Sequence, residues 1–183
     1  MSISIKEAMT EHYTKLENLY MKDIGTKPSV SYTDQLNKAL LISEPDEDME
    51  VEWQLIAQPA HDWTQIEEKL GFSLMKELKE YYNTFYFMDL SGTFGSSELH
   101  FYMIDGSKPL DDVVTLNYTD AQHVFPNSQM FLIGTASVNN DDNYFIFFDN
   151  NTGKLFCYDS EMNKQILLSY SIAKTISSLK AVY

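Results

Sequence analysis

Residues 143–159 read NYFIFFDNNTGKLFCYD, two apolar runs with Asp-Asn-Asn-Thr-Gly between them. The reading of this stretch decides whether the chain is organised around an ion-binding loop or around a sheet. A helix–loop–helix calcium site needs oxygen ligands at loop positions 1, 3 and 5, a Gly at 6 and a Glu at 12. Counted from Asp149, Asn151 falls at the third position, but Gly153 takes the fifth, Lys154 the sixth and Ser160 the twelfth. Glu161 comes one residue late. The flanks, Tyr144 to Phe148 and Leu155 to Tyr158, are aromatic and β-branched rather than helical. Asn, Asp and Gly tolerate positive φ and hydrogen-bond their own backbone, which is hairpin chemistry. The stretch is predicted to be two strands and a turn.

A chain of 183 residues with 44% hydrophobic and 14% aromatic content is long enough to bury a substantial core, and one domain over 1–183 is expected. It has no run of eighteen apolar residues to span a membrane. The opening MSISIKEAMTEHYTK lacks the apolar stretch of a secretion signal, so a cytoplasmic location is expected. The single cysteine, Cys157, suits a reducing compartment and alternates with Leu155 as a small core residue.

Charge narrows the function classes. Asp and Glu number 27 against 13 basic residues, a net charge of −14, and every basic residue is a lysine. Nucleic-acid binding needs clustered Lys and Arg, so it is not expected. The absence of arginine also removes the planar fork best suited to phosphate or carboxylate. A basic protein partner is the natural complement; plain solubility is the alternative use of such a surface.

Met9, Tyr13, Leu16 and Tyr20 recur at helical spacing and predict an N-terminal helix that Gly25 and Pro28 stop. Residues 29–42 read either as a short helix or as a packed loop. Next, SEPDEDMEVEW holds Glu44, Asp46, Glu47, Asp48, Glu50 and Glu52 without a base. Asp46 to Asp48 read as a turn, followed by a strand with Met49, Val51, Trp53 and Leu55 on one face and Glu50, Glu52 and Gln54 on the other. Thr64 and Glu67 have capping-box spacing at the start of a short helix that ends at Gly71. Ser73 is expected to restart a helix with the stripe Leu74, Leu78, Tyr81 or Tyr82, and Phe85. FMDLSGTFGSS reads as a connection, and Leu99–Ile104, Met130–Thr135, Tyr144–Asp149 and Leu155–Tyr158 as strands. Residues 109–125 fit helix or strand. Ile172, Ile176 and Leu179 predict a closing helix. Helices at both ends around an antiparallel or mixed sheet give an α+β domain.

Catalytic constellations do not emerge from the residues. The glycines of Gly92 to Ser97 lack the spacing and lysine of a phosphate loop. There is no G-x-S-x-G. His12, His61, His100 and His123 are dispersed, and only His61 beside Asp62 suggests a fragment of a metal site. No metal or other cofactor and no enzymatic activity are expected.

Several segments then fall into a familiar order. An opening helix ends near a Pro; an acidic stretch leads to Val51-Glu52-Trp53-Gln54; Ile66-Glu67-Glu68-Lys69-Leu70-Gly71 follows. After these come Tyr81-Tyr82-Asn83-Thr84-Phe85-Tyr86 with a Gly-containing loop, Phe131-Leu132-Ile133-Gly134-Thr135, and Asn151-Thr152-Gly153-Lys154. Over about residues 5 to 180 this order resembles the Syd-like branch of the SUKH superfamily. The resemblance implies a non-catalytic α+β fold. It also implies one of two activities: neutralising a toxin, often a nuclease, as an immunity or antitoxin protein, or peripheral association with the basic cytoplasmic loops of the SecY translocon. The lysine-only, Asn-rich composition suggests an A/T-rich genome and favours the immunity reading. The expected contact residues are Glu44, Asp46, Glu47, Asp48, Glu50 and Glu52, joined by Asp141, Asp142 and Asp149 if the late strand lies beside the acidic one.

Overall fold

The Asp149–Gly153 segment closes a β-hairpin. In the computed structural model, which describes residues 3–182, the Asp149 carboxylate accepts hydrogen bonds from Asn151 N (2.9 Å) and Thr152 Oγ1 (2.6 Å). The Gly153 amide donates to Asp149 O at 2.8 Å, and Gly153 adopts φ +72°, where a β-carbon is strained.

In chain order the elements are α1 (Ile5–Asp23), β1 (Ser29–Ser31), a 3-10 turn (Lys38–Leu40), β2 (Glu50–Glu52), β3 (Ile56–Ala57), α2 (Thr64–Leu70), α3 (Lys76–Asn83) and β4 (Phe85–Tyr86). There follow β5 (Ser91–Phe94), β6 (Ser97–Phe101), α4 (Leu110–Val124), β7 (Met130–Val138), β8 (Asp141–Asp149), β9 (Lys154–Asp159), β10 (Lys164–Ser169) and α5 (Ile172–Ser178). Strands β5 to β10 form one antiparallel sheet in sequence order, with α4 inserted between β6 and β7. Two small antiparallel pairs, β1–β2 and β3–β4, stand apart from it. The α+β expectation holds, and the sheet is antiparallel.

Alternation along β8 sorts its side chains. Tyr144, Ile146 and Phe148 enter the main core with Leu155 and Cys157 of β9, while Phe147 turns to the other face. The main core lies between the sheet and a helical layer that contributes Ile5, Met9 and Leu16 from α1, Leu78, Tyr81 and Tyr82 from α3, and Ile172 and Ile176 from α5. On the opposite face Phe125, just past α4, meets Phe147 edge-on at 5.0 Å. Burial pushes the Cys157 thiol up to about 12, so it is a core residue without nucleophilic character.

One residue of the opening turn joins the layers. Asn150 is 5% exposed. Its Oδ1 accepts from Met75 N (2.7 Å), and its Nδ2 donates to Ser73 O (3.0 Å) and Gln129 Oε1 (2.9 Å). This accounts for α3 starting at Lys76 rather than at Ser73: Ser73 O and Met75 N go to Asn150 and Leu74 N to Glu67 instead of to a first helical turn. In the first turn of α3, Glu77 Oε1 accepts from Ser171 Oγ (2.7 Å) and Ala173 N (3.1 Å), capping α5 from outside.

Other expectations need correction. The Thr64–Glu67 capping box is absent. Asp62 Oδ1 instead receives Thr64 N and Oγ1, and Glu67 reaches forward to Leu74 N and the Lys79 ammonium, both at 2.6 Å. Ser91 to Phe94 is a strand, not a connection. It pairs with β6 on one side, and on the other Thr93 and Lys180 exchange backbone hydrogen bonds of 2.9 and 3.0 Å. Those bonds need no apolar alternation, so tertiary pairing overrides a poor strand sequence. Residues 109–125 resolve as α4, with Asp111 and Asp112 at its favourable N-terminal end. β10 went unread. Met49, expected in the buried face, has φ 62° and is exposed because it forms the turn before β2. Phe85 lies in β4 rather than on the α3 stripe, and α5 ends at Ser178 instead of running on.

Two outcomes follow from this packing. Asn150→Ala leaves Met75 N and Ser73 O without their partner and is expected to destabilise the fold by about 2–4 kcal/mol in urea unfolding, against less than about 0.5 kcal/mol for Asn151→Ala at the exposed neighbour. The second concerns His12, which is buried in α1 and whose imidazole burial pushes down to about 4. The unfolded chain therefore binds the extra proton between about pH 6.5 and 4. His12 should contribute fully above that window and lose about 3 kcal/mol as pH falls through it. Stability measured against pH in wild type and His12→Phe should diverge across the window; parallel curves would contradict a buried neutral imidazole.

Candidate functional site

The acidic segment forms a short antiparallel pair edged by a turn. Asp46 Oδ1 accepts from Asp48 N (2.9 Å) and Glu50 N (2.8 Å), and Asp46 N donates to Glu50 O at 2.9 Å. Asp46 thus shapes the turn, while Glu44, Glu47 and Asp48 are exposed on it. In β2, Val51 faces the core, and Glu50 and Glu52 stand opposite Ser31 and Ser29 of β1. Ser31 Oγ donates to Glu50 Oε1 at 2.7 Å, and Lys27 N approaches Glu52 Oε1 at 3.3 Å. No lysine neutralises either carboxylate among the described residues; the Lys27 ammonium pairs with Glu17 at 3.4 Å.

Tyrosines of α1 lie against this face. Tyr13 donates its hydroxyl to Trp53 O at 2.7 Å, and burial, reinforced by Glu17 and Glu52, pushes its phenol up to about 12. Tyr20 is raised by burial and by Asp89 and Glu50. Asp89 is itself raised, chiefly by burial, with a hydrogen bond to Ser91 and the charge of His100 opposing the shift. His100 Nε2 lies 3.2 Å from Glu98 Oε1. Glu98, His100 and Asp142, with Thr135, Ser137 and Asn140, line an open groove of about 500 Å³ on the sheet. A series of electrostatic neighbours thus runs from Glu50 through Tyr20, Asp89, His100 and Glu98 to Asp142.

The structure brings only part of the expected set together. β2 pairs solely with β1, so Asp141 and Asp142 do not share a sheet with Glu50 and Glu52. Asp142 joins the series through the groove, and Asp141 beside it is half-buried, accepting from Asn143 N at 3.2 Å. Asp149 does not belong. It ends the same strand that Asp141 begins, roughly 25 Å away at strand rise, and it is buried with its carboxylate committed to the turn. Glu98, His100 and Asp89 were missed in the sequence. Their signal was the alternation of Ser97-Glu98-Leu99-His100-Phe101, which starts two residues before the strand expected there.

The suspected metal fragment resolves differently. His61 Nε2 lies 2.8 Å from Asp111 Oδ1, linking the α2 approach to α4, while Thr64 occupies Asp62. Among the described residues no group of three or more His, Cys, Asp or Glu side chains is arranged to hold a metal ion. No helix among them is long and apolar enough to cross a membrane.

No curated protein matches the sequence. A family model described as Syd protein (SUKH-2) matches residues 6–181, nearly the whole chain and the span over which the segment order was read. With this match and its α+β fold, the chain belongs to the Syd (SUKH-2) family.

Proposed function

We propose that this chain is a non-catalytic immunity protein that acts in the cytoplasm by covering a basic toxin domain. The observation that carries the reading is the pair of carboxylates Glu50 and Glu52, held on a strand and neutralised by no lysine among the described residues, in a chain of net charge −14. Carboxylates held on strands are presented with little ordering loss on binding. Such a surface accelerates encounter with a basic partner and repels nucleic acid, so it masks the toxin rather than competing for the toxin's substrate. Family membership favours a second reading of the same face, binding to the basic cytoplasmic loops of SecY. That contact would be peripheral.

Co-expression with a basic toxin domain encoded beside this chain separates the two. Restored growth supports immunity; a toxin left fully active, together with salt-sensitive capture of SecY from membranes, supports the translocon reading.

Changing Glu50, Glu52, Asp141 and Asp142 to their amides keeps one acceptor oxygen on each side chain while removing four charges. Association at low salt should slow by about tenfold and lose its salt dependence, with stability changed by less than about 0.5 kcal/mol. An unchanged rate would reduce the acidic face to a solubility device. Dialysis against a chelator should leave the melting temperature where it was; a drop reversed by one metal would overturn the metal-free reading, because a ligand of the native state must stabilise it.

A further inference from the structure

Helix α4 carries a second stripe along the margin of the core. Its core-facing residues include Val114 and Ala121, both fully buried. Val113, Leu116, Asn117 and Asp120 recur at i, i+3, i+4 and i+7 and form a second line on the same helix. That line faces the segment after β6, and the two enclose a groove of about 350 Å³ whose walls include Tyr102 and Met103. Leu116 is 49% exposed and Met103 51%, with Tyr102 at 36%. Three of the large hydrophobic side chains exposed among the described residues therefore converge on one concavity, whereas scattered single exposures are ordinary.

The groove is built in advance of any occupant. Asp105 is buried; its Oδ1 accepts from Ser107 N (3.0 Å) and Ser107 Oγ (2.7 Å), and Asn37 Nδ2 donates to Asp105 O at 2.8 Å. Gly106 has φ +77°, and a β-carbon there would meet the Tyr86 ring at 2.9 Å. On the helix side, Asn117 Nδ2 donates to the buried Tyr82 hydroxyl at 2.9 Å. Both walls are anchored to the core.

Charge narrows the occupant. Asp120 and Lys108 both line the groove, neither makes an ion pair among the described residues, and the net charge of −14 favours a basic segment. The Asp120 charge adds to burial in raising the Tyr102 phenol. An unpaired carboxylate beside Tyr, Met and Leu side chains complements a Lys or Arg set next to an apolar anchor. Aromatic and methionine side chains are also the types enriched in protein contacts. We propose that this groove is a second docking site, separate from the acidic face, that receives an amphipathic protein segment by seating one apolar side chain against Met103 and Leu116 and a neighbouring Lys or Arg on Asp120.

The probe is a phage-displayed library of random peptides about twelve residues long, selected on the intact chain. The expected result is an enriched set sharing an aromatic or leucine anchor within about four positions of a Lys or Arg, the spacing of one helical turn. Binding of a synthetic member should fall by about tenfold or more in Leu116→Lys and by several-fold in Asp120→Asn, where its salt dependence should also flatten. The Glu50→Gln, Glu52→Gln double variant should bind normally, which separates this site from the acidic face. Methyl resonances of Met103 should shift when peptide is added to the unmutated protein, a readout that does not depend on how Leu116→Lys folds. No enriched set, enriched peptides lacking a basic residue, or peptides that leave the Met103 resonance and the Asp120→Asn affinity unmoved would overturn the proposal.

Discussion

The side-chain amide of Asn150 holds the sheet to the helices. It sits in a turn that the β8–β9 hairpin requires anyway, yet it points inward and satisfies the backbone of residues 73–75 and the side chain of Gln129. A buried amide with one partner missing is a liability, while a satisfied one fixes a unique arrangement. Here it sets where α3 begins, and α3 in turn sets the rest. Leu78, Tyr81 and Tyr82 enter the core from that helix, and Glu77 caps α5. The most motif-like stretch of the chain is thus structural. Its Asp shapes the hairpin, its first Asn joins the layers, and its Gly accepts the left-handed backbone.

The acidic face follows a different logic. Glu50 and Glu52 stand opposite serines, and the Lys27 ammonium goes to Glu17. Crowded like charges work against the compact state, and the raised Asp89 records the effect of burial on a carboxyl along that series. Nothing in the packing of β1 and β2 requires acids at these positions, since Val51 and Trp53 supply the buried contacts.

How much was legible depended on whether local pattern and tertiary pairing agreed. The α1 stripe and the hairpin at 143–159 carry their periods openly, and Val51 between two glutamates gave the right faces for β2. Ser91-Gly92-Thr93 has no apolar alternation, because that strand is held by backbone pairing to β6 and to Lys180. β10 was hidden by the unbroken Ile166-Leu167-Leu168 run. A signal for it did exist. Asp159, Asn163 and Lys164 repeat the spacing of Asp149, Gly153 and Lys154; Asp159 Oδ1 accepts from Glu161 N and Met162 N, and Asn163 takes φ 49° where the first turn has Gly. In the site, the alternating acids of β2 were readable, but the neighbours around them come from α1, the connection before β5, and β6. Proximity of that kind is set by packing, which no single segment encodes.

The bond pattern around α5 bears on how the chain folds during synthesis. α1 is made before α5, yet it packs on α5, with Lys15 Nζ donating to Ser177 O at 2.8 Å, and the outer edge of β5 is occupied by Lys180. Until that late segment has emerged, the α5-facing side of α1 and one sheet margin lack their partners, and contacts between chain regions so distant in sequence form slowly. The sheet margin at β5 therefore closes only when chain regions far apart in sequence meet.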